Sequence, residues 1–147
     1  MRKEKEAMSK QISILVIDDD RIVRMLLQST LSQRGFDVCT AEDGQEGLEK
    51  AKTEKPDLIV LDLMLPKIGG YKVCGLLKKD ARYAKTPVIL FTEKAHEKDV
   101  KLAEEVGADA YITKPFKPEV LLSKIEELIS ELPNGNQGNR KNSNSSG

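Results

Sequence analysis

The chain has 147 residues, of which 39% are hydrophobic and 33% charged, with 24 basic and 24 acidic side chains; that is enough for one domain with a sizeable core and hardly for two. No apolar run approaches the ~18 residues of a membrane span, and the first ten residues are too charged for a secretory leader. The ends hold six of the basic and two of the acidic residues, so positions 11–132 carry 18 basic against 22 acidic, a net of −4, which argues against nucleic acid as a partner through bulk electrostatics and, with the rest, for a cytoplasmic protein with no membrane contact.

Gln11–Ile17 reads as a first strand that runs directly into Asp18, Asp19 and Asp20. Ile22, Val23, Met25, Leu26, Leu27 and Leu31 then recur at helical spacing up to Gly35, which is well placed to end a helix. Phe36–Thr40 is a short second strand. Asp43 is positioned to cap a second helix through about Glu54, with Leu48 and Ala51 on its inner face and the turn signal Lys55-Pro56-Asp57 behind it.

The stretch Asp57–Pro66 is nearly continuous in apolar residues, as a buried parallel strand should be, except at Asp62. An unpaired buried carboxylate costs roughly several kcal/mol, so Asp62 must reach solvent, a cation or several donors. The carboxyl end of a central strand meets that demand, because the crevices of open α/β sheets lie there. Pro66–Gly70 is a loop into a third helix bearing Tyr71, Val73, Cys74, Leu76 and Leu77.

Thr86–Phe91 is the fourth strand, with Thr92 immediately after it. Residues 95–106 form a polar fourth helix whose apolar side is thin: Ala95, Val100, Leu102, Ala103 and Val106. Asp109–Thr113 is the fifth strand and ends in Lys114-Pro115. The last helix, about 117–132, carries Leu121, Ile125, Leu128 and Leu132 on one stripe, with Leu122 and Ile129 beside it. The expected organisation is a charged extension at 1–10, a folded domain at 11–132, and a polar tail at 133–147 with too little apolar surface to fold. Cys39 and Cys74 lack metal or redox spacing and read as reduced core residues; His96, the one histidine, reads as solvated.

Five strand-then-helix units predict an α/β fold with a parallel sheet covered on both faces, and a sheet of order 2-1-3-4-5 reverses direction at its central crevice. In such a sheet all strand ends point the same way, so Asp18, Asp19 and Asp20, Asp62, Thr92 and Lys114 should meet in one crevice. Singly, each has a plain structural explanation: a helix cap for the acids or Thr92, a surface position for Lys114. Together they compose a site. Clustered carboxylates must protonate or hold a cation, and oxygen-only ligation suits Mg²⁺. A lysine and a hydroxyl across the crevice suit phosphate, and Asp62 is placed to be the nucleophile.

The motifs Ile17-Asp18-Asp19, Leu61-Asp62-Leu63-Met64-Leu65-Pro66, Phe91-Thr92 and Tyr111-Ile112-Thr113-Lys114-Pro115-Phe116 resemble those of the receiver domains of two-component response regulators, over roughly residues 11–132. The resemblance implies a flavodoxin-like doubly wound (βα)5 fold and a phosphorylation switch served by a sensor histidine kinase or phosphotransfer protein, acting on an output target that the sequence does not name. It implies phosphorylation at Asp62, and Mg²⁺ held by Asp18, Asp19, Asp62 and the Met64 backbone carbonyl. Thr92 and Lys114 are the expected switch hydroxyl and phosphate-binding lysine, Tyr111 the aromatic that turns inward, and Lys114-Pro115 a cis peptide.

A kinase partner would dock by the first helix. The face made by the fourth helix, fifth strand and fifth helix would carry the output, without enzymatic activity beyond the domain's own phosphorylation and dephosphorylation. Three positions depart from the family's habit: Glu93 follows Thr92 where a small residue is usual, Gly69 stands where Asp is frequent, and Arg21 where proline often starts the helix. Two rival readings are a haloacid-dehalogenase-like phosphatase using Asp18 and Asp20, which lacks its acidic pair because no Asp follows Lys114, and a receiver-like interaction module that is never phosphorylated.

Overall fold

A computed structural model of the chain describes residues 11–92 and 97–132. The expected extension at 1–10, the tail at 133–147 and the positions of Glu93, Ala95 and His96 lie outside the described residues. Strand and helix alternate: β1 (Ser13–Ile17), α1 (Arg21–Gln33), β2 (Asp37–Ala41), α2 (Gly44–Glu54), β3 (Leu58–Asp62), α3 (Gly70–Lys79), β4 (Val88–Thr92), α4 (Glu97–Glu105), β5 (Ala110–Thr113) and α5 (Pro118–Ile129). All strand pairs are parallel, and the sheet order is β2-β1-β3-β4-β5. Element order and topology agree with the sequence reading; boundaries move by a few residues, with β1 opening at Ser13 and β2 ending at Ala41.

The sheet divides the core in two. Leu15, Ile17, Ile59, Leu61 and Leu90 face α2 and α3, while Ile14, Val16, Val60, Ile89 and Phe91 face α1 and α5. This alternation within apolar strands is what a sheet buried on both faces requires. Two aspartates secure the amino ends of the strands: Ser13 N donates to Asp57 Oδ2 (2.8 Å) and Val88 N to Asp109 Oδ2 (2.8 Å). Lys78 Nζ also reaches Asp109 (2.9 Å) and the Thr86 carbonyl (2.7 Å), tying the end of α3 to the start of β5.

The helices begin and end for local reasons. Asp20 caps α1 by accepting from Ile22 N (2.9 Å), and Asp43 caps α2 by accepting from Glu46 N (2.8 Å). Gly35, at φ 92°, takes the left-handed turn that closes α1. Cys74 is buried and Cys39 half-buried, both as free thiols. On α4, Ala103 is buried, whereas Val100 and Leu102 are exposed, in keeping with the thin apolar side expected there.

Candidate functional site

Each chemical side chain stands where an apolar strand runs out. Asp18 follows β1, Asp62 closes β3, Thr92 closes β4, and Lys114 follows β5. Because the strands are parallel, these four ends meet at one edge of the sheet. Lys114 Nζ donates to Asp18 Oδ2 (3.0 Å) and lies 3.5 Å from Asp62 Oδ2. One carboxylate oxygen from each of Asp18, Asp19 and Asp62 lies within 4.8 Å of the other two. Asp18 and Thr92 are buried, Asp19 is exposed, and the Asp62 side chain retains 8% exposure at the mouth of the crevice.

Asp18 is held at every polar atom. Its N–H donates to the Ala41 carbonyl (3.1 Å), and its carbonyl accepts from Arg24 Nη1 (2.9 Å). Oδ1 accepts from Asp20 N (2.9 Å), and Oδ2 takes the lysine. Burial nevertheless dominates and pushes the Asp18 carboxyl above its ordinary range, against the lowering effect of Asp20 N–H and Lys114. For Lys114, burial is the largest single influence and acts downward. The hydrogen bond and charge of Asp18, with those of Asp62, together outweigh it and leave the amine above its ordinary value. The two groups are thus a desolvated pair beside a second acid, Asp62.

Among the described residues, Asp62 is partnered by the lysine and by Met64 N, which donates to Oδ1 (3.1 Å). That answers the demand its burial creates. The Met64 side chain is exposed. Thr92 lends its backbone carbonyl to Lys114 N (2.6 Å), and the Lys114–Pro115 peptide is cis. Tyr111 is half-buried against the core to which α2, α3 and α4 contribute. Asp20 caps α1 and lies exposed, while Asp18 is paired with Lys114.

Several contributors are absent from the sequence reading. Arg24 reaches back from α1 to the Asp18 carbonyl; the only signal in the sequence is a basic residue within an otherwise apolar helical stripe. Lys67, at φ 66°, pairs with Asp43 (3.3 Å) and so pins the β3–α3 loop to the cap of α2. Gly70 packs its α-carbon against the Asp62 carbonyl so closely that a Cβ there would lie 2.3 Å from that oxygen. On α1, Ile22, Met25 and Leu26 have the spacing of core residues and yet face solvent. Beside them a groove of about 550 Å³ runs between α1 and the 114–118 turn, lined by Val23, Leu26, Leu27, Thr30, Pro115 and Phe116, among others.

The comparisons agree with this geometry. The model of the response regulator receiver domain matches residues 14–126. The alkaline phosphatase synthesis transcriptional regulatory protein PhoP of Bacillus subtilis is 47% identical over 116 residues, covering 79% of this chain and 48% of that protein. Protein PilG of Pseudomonas aeruginosa is 37% identical over 124 residues, covering 84% of this chain and 92% of PilG. The structure of the chemotaxis protein CheY4 of Vibrio cholerae matches with a TM-score of 0.77 at 30% identity, over 80% of this chain and 98% of that one. The chain spans about half the length of most of the curated relatives it matches, the transcriptional regulators among them. By the match of its sequence and the order of its strands, this chain belongs to the response regulator receiver domain family.

Proposed function

We propose that the chain accepts a phosphoryl group on Asp62 and uses it as a signalling switch. The observation that carries this reading is the meeting of Lys114 with Asp18 and Asp62 at 3.0 and 3.5 Å across a crevice rimmed by three carboxylates. In the step envisaged, a carboxylate oxygen of Asp62 attacks phosphorus, the bond from phosphorus to the donor's histidine nitrogen breaks, and an acyl phosphate results. Phosphoryl transfer asks chiefly for alignment and charge neutralisation. Lys114 supplies a cation already desolvated beside the nucleophile, and Met64 N–H orients one of its oxygens.

The acid cluster suits Mg²⁺, since its donors are all oxygens, with no histidine or cysteine among the described groups. Asp18, Asp19 and Asp62 would hold it with the Met64 carbonyl, and it would neutralise charge on the transferring group. Once Asp62 carries phosphate, about −1.5 to −2 charges appear beside Lys114 and Thr92. Both are expected to turn to it, and Tyr111 to follow Thr92 inward, changing the α4–β5–α5 face that an output partner reads.

The apolar face of α1 and the groove beside it support a histidine kinase or phosphotransfer protein as donor. The net acidity of residues 11–132 supports protein rather than nucleic acid as the partner of this domain, and none of the described helices is long and apolar enough to cross a membrane. The test is exposure to a small phosphodonor such as acetyl phosphate with Mg²⁺, followed by intact-mass and peptide analysis. One phosphate at Asp62, absent in Asp62→Asn, is expected; an unmodified wild-type chain, or a phosphate that persists in the variant, overturns the reading.

A further inference from the structure

We infer that Phe91 is a positioning residue for the site: its ring is a plate on which the Lys114 ammonium is seated between the two carboxylates. The inference rests on the proposed phosphorylation of Asp62 and extends it. Phe91 and Asp62 are register partners in the β4/β3 pair, and partners in parallel strands project to the same side of a sheet. Phe91 belongs to the core under α1 and α5, is fully buried, and directly precedes Thr92. The Lys114 ammonium lies 5.8 Å from the centroid of its ring, within the ~6 Å over which a cation is drawn to an aromatic face. A second aromatic, Phe116 of the same turn as Lys114, sits at 4.7 Å between ring centroids with the planes at 42°.

These contacts do what the carboxylates alone cannot. Asp18 and Asp62 attract the ammonium, but their charges are the ones that a metal ion and a phosphoryl group would engage. A lysine held only by them would lose its seat when they turn to those partners. The ring is neutral, takes no part in the acid cluster, and belongs to the strand that carries Thr92. The Lys114 side chain is only 14% exposed, so the contact operates with little water to screen it. Phe116 packs against the same ring and ties the 114–116 turn to β4. A leucine or valine at position 91 would fill the core without offering an electron-rich face.

The experiment replaces Phe91 by mono-, di- and trifluorophenylalanine in the full chain, which keeps the ring's shape while draining its face of negative potential, with Phe91→Leu as the companion variant. Two readouts are taken. One is the phosphorylation rate from acetyl phosphate at saturating Mg²⁺, set against the half-saturating Mg²⁺ concentration. The other is the ¹⁵N NMR signal of the Lys114 ammonium in the metal-free chain, which needs no phosphorylation. The expected result is a rate that falls stepwise along the fluorine series, by roughly two- to fivefold at its end, with the Mg²⁺ midpoint unchanged and the ammonium signal broadening in parallel. A flat series in both readouts, or wild-type behaviour of Phe91→Leu, overturns the role of Phe91. Absence of any phosphate on the wild type with a graded NMR series would instead overturn the phosphorylation reading and leave the ring contact standing.

Discussion

Lys114 and Asp18 are separated by 96 positions in the chain, yet the ammonium of one lies 3.0 Å from the carboxylate of the other. Such a contact exists only when β1 and β5 both end at the same edge of the sheet, so the pair is a signature of the whole topology. It also sets the electrostatic state of the crevice without metal. Lys114 is the cation that compensates Asp18 and Asp62, and its raised affinity for a proton reflects them.

Replacing Lys114 by methionine keeps the length of the stem and removes the charge. The metal-free variant should lose about 1–3 kcal/mol of stability, because two buried acceptors are left without their cation. Saturating Mg²⁺ should then stabilise the variant more than the wild type, since it restores positive charge that only the variant lacks. Urea denaturation with and without Mg²⁺ measures both quantities; equal Mg²⁺ responses would show that the lysine and the metal do not share the same acids.

The β3–α3 loop provides a sharper steric test. A Cβ on Gly70 would meet the Asp62 carbonyl at 2.3 Å and the Leu63 α-carbon at 2.6 Å, all backbone that cannot swing aside, whereas a Cβ on Gly69 meets nothing within 4 Å. Gly70→Ala should therefore destabilise the domain by about 1–3 kcal/mol or more and displace the Asp62 end of β3, while Gly69→Ala stays within ~0.5 kcal/mol. Matching denaturation midpoints for the two variants would contradict the close approach described.

Much of this site was readable because a charged side chain at the end of an apolar run is conspicuous. Asp18, Asp62 and Lys114 each interrupt a strand pattern, and the parallel topology does the rest. The outward residues of α1 were not readable in the same way. Ile22, Met25 and Leu26 recur at the same helical spacing as the buried Leu27 and Leu31, and periodicity alone does not say that an apolar arc is wider than the sheet can cover. Gly70 and Lys67 escaped for another reason: a close backbone approach and a left-handed φ of 66° depend on where distant chain passes. Arg24 was hidden too, since its partner is a carbonyl and every residue has one.

The two thiols should differ in reactivity. Burial pushes the Cys74 thiol up to about 11, and Cys39, half-buried, is raised as well, again chiefly by burial. A disulfide reagent at neutral pH should modify Cys39 first and Cys74 only as fast as the domain opens. The sign of the pH effect follows from the same shift. Above the ordinary thiol value of 9.0 the unfolded chain releases the Cys74 proton while the folded chain keeps it, so stability should fall as pH rises from 9.0 toward about 11. Cys74→Ala should lack that part of the slope; an identical alkaline profile in wild type and variant would show that the thiol does not titrate differently on folding.

The last prediction concerns the outward face of α1. Ile22, Met25 and Leu26 are 73%, 56% and 55% exposed and make an apolar face on α1, the helix that follows Asp18 and Asp19. Side chains this exposed contribute little to folding, so Ile22→Glu and Leu26→Glu should change stability by no more than ~0.5 kcal/mol. Neither side chain hydrogen-bonds to Asp18, Asp62 or Lys114, so phosphorylation by acetyl phosphate should proceed at close to the wild-type rate. Transfer from a phosphohistidine-bearing protein should behave otherwise. A partner docked on this face, as proposed, would desolvate it to bring its histidine to Asp62, and a buried glutamate there adds both a desolvation cost and the loss of apolar contact. Each substitution should slow protein-mediated transfer about tenfold or more, corresponding to ~1.4 kcal/mol or above. Parallel time courses with the two donors separate the contributions. Equal slowing with both would place the defect in the site, and no slowing with the protein donor would remove α1 from the docking surface.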